Sequence, residues 1–122
     1  MEKQKSILIV EDEVILSAWL KMQLEDEGYT VCGSFTTGEE AVEFVETTKP
    51  DLILMDINLV GKIDGIETAE VINKKSKIQI IYMTGYEELE VVERAQKTKP
   101  VAYLTKPVEI LDLKPIIESI FN

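Results

Sequence analysis

The chain has 122 residues, 45% of them hydrophobic and 30% charged, with a formal net charge of −10 and no histidine. One domain of that length buries roughly two thirds of its unfolded surface; the acidic balance opposes a nucleic-acid surface built on clustered Lys and Arg, and the missing histidine disfavours zinc sites and His-based acid–base catalysis. A lone Cys32 excludes an internal disulfide framework, and Met1-Glu-Lys-Gln-Lys-Ser6 leads into only four apolar residues, too few for a secretory signal or a membrane span, so a soluble cytoplasmic protein is expected.

The periodicity then predicts five strand–helix units in chain order. A strand over 6–10 runs four branched apolar residues, Ile7-Leu-Ile-Val10, into the carboxylates of Glu11, Asp12 and Glu13. A helix over 13–27 follows, with Ile15, Ala18, Trp19 and Met22 as its apolar stripe and Gly28 as a left-handed terminator. The second strand, 30–35, holds Cys32 as a buried, inert thiol. Thr37-Gly-Glu-Glu40 has capping-box spacing and opens a helix that buries Ala41, Phe44 and Val45 before Pro50. The third strand, 51–55, ends against Asp56. After Gly65 a helix with Ile66, Ala69 and Ile72 on one side ends in Lys74 and Lys75, with Lys77 just beyond; these are read as favourable charge at a helix C-terminus. A strand over 78–83, a helix over 87–97 burying Leu89, Val92 and Ala95, and a strand over 101–104 come next. The last helix is expected to begin near Asp112, which places Pro115 in a tolerant first turn. Alternating βα units with right-handed crossovers give a parallel sheet covered on both faces, and such sheets bind ligands beyond the strand C-termini.

The residues expected at those C-termini are Glu11, Asp12 and Glu13, then Asp56, then Thr84-Gly85, then Lys106-Pro107. Each has a bland reading by itself. The acidic triplet suits a helix start, Thr84 with Glu87 suits a capping box, and Lys106 suits a solvated loop. Tyr103 suits ordinary strand packing. Their convergence on one edge argues otherwise. Carboxylates of Glu11, Asp12 and Asp56 sharing a cleft repel unless a cation sits among them, and oxygen-only ligands favour Mg²⁺. With Lys106 as a compact positive charge and Thr84 as a hydroxyl donor, the set suits a phosphoryl group placed on a carboxylate.

Nearly end to end, the chain resembles the receiver domain of two-component response regulators. The resemblance is carried by Ile7-Leu-Ile-Val-Glu-Asp-Glu13, Asp51-Leu-Ile-Leu-Met-Asp-Ile-Asn58, Asp64-Gly65, Met83-Thr-Gly85 and Tyr103-Leu-Thr-Lys-Pro107, in order and at the family's spacing. It implies a single receiver domain over 1–122 with a flavodoxin-like doubly wound (βα)5 fold and strand order 2-1-3-4-5. By the same resemblance, Asp56 accepts a phosphoryl group from a sensor histidine kinase or a phosphotransfer protein, and Mg²⁺ is held by Asp12, Asp56, the main-chain carbonyl of Asn58 and, directly or through water, Glu11. Lys106 pairs with the phosphoryl oxygens. Thr84 moves in to hydrogen-bond one of them, and Tyr103 turns inward behind it. Asn58 and Tyr86 tune hydrolysis.

Such a domain is a signalling switch and not a turnover enzyme. An interaction-only receiver that is never phosphorylated is the alternative, opposed by the complete acceptor, metal and lysine set. A haloacid-dehalogenase-like hydrolase is opposed by Asn58, which stands where that chemistry needs an acid. The segment from Ile57 to Ile63 is one residue longer than the commonest family loop and lacks its usual proline, so a mobile loop is expected beside the site. The expected partners are the kinase and either a downstream protein or a tethered output domain, with no nucleic acid bound by this chain itself. Lys114 is the only basic residue of the last helix, which favours a monomer or a weak dimer.

Overall fold

The unalternating apolar runs become the centre of a sheet. The computed structural model describes residues 5–85 and 88–121. Strands β1 (Ser6–Val10), β2 (Thr30–Phe35), β3 (Leu52–Asp56), β4 (Gln79–Thr84) and β5 (Ala102–Thr105) alternate with helices α1 (Val14–Asp26), α2 (Gly38–Thr47), α3 (Gly65–Lys75), α4 (Leu89–Gln96) and α5 (Ile110–Phe121). All pairings are parallel, in the order β2-β1-β3-β4-β5. This is the expected order. The central strands β1 and β3 bury almost every side chain because helices lie on both faces.

Alternation along each strand divides the core in two. Leu8, Val10, Ile53, Met55 and Tyr82 pack with Ala41, Val45, Ile66 and Ile72 under α2 and α3. Ile7, Ile9, Leu52, Leu54 and Ile81 pack with Leu20, Leu24, Leu113 and Ile117 under α1 and α5. Each such side chain contributes roughly 1.5–3 kcal/mol of burial. A one-residue slip of β1 or β3 would exchange the two cores, so register is strongly specified.

Several local expectations are corrected. The buried residues of α1 are Ser17, Leu20 and Leu24; Ile15 is 87% exposed, Met22 60%, and Ala18 and Trp19 also face outward. This helix is apolar around most of its circumference, so helical spacing identifies two stripes and only packing against β1, β3 and α5 selects one. In α4, Ala95 is buried but Leu89 is 71% exposed. Its N-cap position is Glu88, whose side chain makes no capping hydrogen bond, so Thr84 is not the N-cap. The last helix starts at Ile110: the Glu109 N–H donates to Asp112 Oδ2 (3.1 Å), which closes a turn earlier than the proline rule suggests. Pro115 therefore lies inside α5, four residues after the exposed Leu111.

Helix starts follow the capping logic. Thr37 Oγ1 accepts from the Glu40 N–H (3.2 Å), while the Glu40 carboxylate bonds the Thr37 hydroxyl and not its main chain. The complete reciprocal box is at α3, between Asp64 and Glu67. Gly28 ends α1 at φ +92°, as expected of a left-handed terminator.

Gly65 begins α3 directly against β3: its N–H donates to the Ile57 carbonyl at 2.8 Å, and a Cβ there would collide with the carbonyl oxygen of Asp56. Because the obstacle is main chain, it cannot rotate away. Gly65→Ala is expected to destabilise the fold by about 2 kcal/mol or more, read as a lower urea midpoint at unchanged m-value; an unchanged midpoint would show that the α3 start can move off β3.

Candidate functional site

Parallel strands end at one edge, and three of them end in charge. Glu11 follows β1 and Asp56 closes β3; both are almost completely buried, while Asp12 is half-buried. Ligand oxygens of Glu11, Asp12 and Asp56 lie within 4.8 Å of one another. Lys106, after β5, enters this cluster with its Nζ 2.8 Å from Glu11 Oε1, 3.1 Å from Asp56 Oδ2 and 3.3 Å from Glu13 Oε1. The main chain assists: the Glu13 N–H donates to Glu11 Oε2 (3.0 Å) and the Asn58 N–H to Asp56 Oδ1 (3.2 Å).

Burial makes this charge costly. It pushes the Asp56 carboxyl above its ordinary range against the opposing pull of Lys106, and it lifts Glu11 from 4.5 to about 7. Burial by itself would lower the Lys106 ammonium, but its contacts with Glu11 and Asp56 outweigh that, and the net shift is upward. One cation thus serves three carboxylates.

Glu11 Oε1 lies within ion-pair distance of Lys106 yet is the one buried side-chain oxygen, among the described residues, without a directed hydrogen bond. A buried acceptor with spare capacity beside two further carboxylate oxygens fits a hard cation. Mg²⁺ accepts this oxygen-only donor set, and no His or Cys is present to favour a softer metal.

The other predicted residues adjoin the cluster. Thr84 ends β4, is fully buried and lies opposite Thr105 in the ladder; its carbonyl accepts from the Lys106 N–H at 2.8 Å. Tyr103, on β5, is half-buried with its ring centroid 6.2 Å from that of Tyr82. Asn58 is exposed immediately after β3. Tyr86 lies outside the described residues.

Two participants were not singled out from the sequence. Glu13 shares Lys106, and its only prior signal was membership of the acidic triplet. Glu39 of α2 accepts from the Lys62 and Ile63 N–H groups (3.3 and 3.4 Å), while Thr37 and Val60 form a parallel bridge. The long loop beside Asp56 is therefore tied to α2 where the sequence suggested a loose one. Gly61, at φ +104°, sits so near the Glu39 carboxylate that a side chain would obstruct this clasp.

Residues 7–118 match the family model described as the response regulator receiver domain. The chain belongs to this family. The receiver is 40% identical over 114 residues to the transcriptional regulatory protein PdtaR of Mycobacterium tuberculosis, covering 93% of this chain but only 55% of that protein. It is 29% identical to sporulation initiation phosphotransferase F of Bacillus subtilis, covering 94% of this chain and 92% of that one. Among solved structures, it superposes on the signal receiver domain of a modulated diguanylate cyclase from Desulfovibrio desulfuricans with a TM-score of 0.90 and 40% identity, over 97% of this chain and 94% of that one. Receivers are signalling domains that bind Mg²⁺ at an acidic pocket, and this receiver brings Glu11, Asp12 and Asp56 together at one edge of its sheet. No helix among the described residues is long and apolar enough to cross a membrane.

The raised Glu11 has a measurable consequence. Between 4.5, where an unfolded glutamate titrates, and about 7, the folded receiver binds a proton that the unfolded chain has released, so stability falls as pH rises through that window. Relative to Glu11→Gln, the metal-free wild type is expected to lose on the order of 1–3 kcal/mol between those limits, measured by urea unfolding at each pH. Parallel pH profiles for the two proteins would show that Glu11 is ionised throughout.

Proposed function

We propose that this receiver is a phosphorylatable switch of a two-component system, in which Asp56 accepts a phosphoryl group from the phosphohistidine of a sensor kinase or phosphotransfer protein. The observation that carries this reading is the buried Asp56 carboxylate, 3.1 Å from Lys106 and within 4.8 Å of the ligand oxygens of Glu11 and Asp12. A carboxylate oxygen of Asp56 attacks phosphorus as the phosphorus–nitrogen bond of the donor breaks; an acyl phosphate forms and the imidazole leaves with the bonding pair. Asp12, Asp56, the Asn58 carbonyl and Glu11 would hold Mg²⁺, which would neutralise part of the phosphoryl charge. Lys106 transfers its attraction from the carboxylates to the phosphoryl oxygens, and its upward-shifted ammonium keeps that charge available.

The added charge then biases a two-state element. The Thr84 hydroxyl bonds a phosphoryl oxygen, and Tyr103 turns inward beside Tyr82. Asn58 and Tyr86 set access of the hydrolysing water. Turnover chemistry is not part of the reading, because Asn58 cannot act as an acid. The chain spans 55% of the mycobacterial regulator; its setting is cytoplasmic, and its output partner is a tethered domain or a separate protein.

Incubation with acetyl phosphate and Mg²⁺ is expected to add one phosphoryl group, seen by intact mass, and Asp56→Asn to abolish it; equal labelling of Asp56→Asn would sink the assignment. A protein donor is further supported by α1, which begins beside the pocket and carries Val14, Ile15, Trp19 and Met22 on its exposed side. Ile15→Asp with Trp19→Ala is expected to slow phosphotransfer from a phosphorylated kinase at least about tenfold, near the scale of one lost hot spot, while labelling by acetyl phosphate is unchanged. Equal losses with both donors would remove α1 from the docking surface.

A further inference from the structure

At the opposite edge of the sheet from Asp56, the end of α3 and the turn after α4 border an open pocket of about 670 Å³ beside the start of β4. Lys74, Lys77, Lys97 and Lys99 line it, with Glu70 as the only acid. In a chain of net charge −10 this concentration of cations stands out. None of the four cavity lysines forms an ion pair among the described residues, a state they share with Lys5, Lys21, Lys49 and Lys62; what sets them apart is that they converge on one pocket.

Helix dipoles account for part of the cluster. Lys74 lies in the last turn of α3 and Lys97 caps α4, where positive charge is favourable. Lys77 lies past the Ser76 cap and Lys99 past the end of α4, beyond that effect. Lys99 also has φ +55°, a left-handed conformation that helix ends usually assign to Gly or Asn. A lysine thus stands where glycine would be less strained.

Unpaired like charges around one cavity repel each other and favour a multiply charged anion. Lysines meet phosphate as mobile point charges. The volume falls in the range of roughly 300–1,000 Å³ typical of small-molecule sites, far beyond what a single phosphate fills. The half-buried Ile78 adds an apolar surface, and Asn73, whose amide donates to the Thr98 carbonyl, presents its side-chain oxygen nearby. We propose that this pocket binds a nucleotide carrying two or more phosphates, with the phosphates among the four lysines and the base against Ile78.

The test is a titration of the full chain with ATP, pyrophosphate and inorganic phosphate, without magnesium, followed by amide chemical shifts. ATP is expected to bind more tightly than pyrophosphate, and pyrophosphate more tightly than phosphate, with shifts confined to residues 73–80 and 97–101. Lys77→Glu with Lys99→Glu should weaken ATP at least about tenfold, while Lys21→Glu, on the exposed side of α1, leaves it unchanged. Lys99→Gly should raise the melting temperature yet weaken ATP, which separates a ligand role from a structural one. Scattered shifts, pyrophosphate binding as tight as ATP, equal effects of the cavity and Lys21 variants, or occupation by an acidic peptide or an RNA oligomer but not by ATP would each overturn the proposal.

Discussion

The contact on which the functional edge depends is Lys106 among Glu11, Glu13 and Asp56. Parallel topology brings the strand tips together, and the tips are acidic, so the fold itself creates a concentration of like charge. A single ammonium offsets it incompletely. Burial raises both inner carboxyls, and Glu11 retains an oxygen with no directed partner. The pocket is thus under-neutralised by its own residues, and that imbalance makes it receptive to a divalent cation. A better-satisfied cluster would be more stable and chemically inert.

The rest of the architecture holds that imbalance in place. Apolar side chains on both faces of β1 and β3 fix their register, so Glu11 and Asp56 cannot slide apart without exchanging the two cores. Capping at Asp64 and Glu67 fixes where α3 starts, and the Glu39 clasp fixes the loop between. These contacts do not touch the chemistry. They determine the distances within it.

Much of this was legible in the residues. Long unalternating runs marked the central strands, and the carboxylates and lysine after them marked the edge, because strand termini are set by strong local pattern. What was not legible depended on choices made by packing. Apolar residues surround α1, so its spacing did not reveal that Leu20 and Leu24 face the core while Ile15 and Met22 face solvent. The Glu39 clasp joins residues 23 and 24 apart in sequence, a separation at which no motif operates. The basic cavity likewise unites the ends of α3 and α4, two segments that each looked ordinary alone.

The fit of Gly65 against β3 has a mechanical consequence. With no room for even a methyl group between it and the Asp56 carbonyl, the strand tip and the first residue of α3 move as one body. Its neighbour Asp64 is gripped by Arg94 at 3.1 Å, which joins α3 to α4. A displacement of the main chain at Asp56 therefore carries the first residue of α3 with it, and the partly exposed Asp64–Arg94 pair is the side-chain link from there to α4.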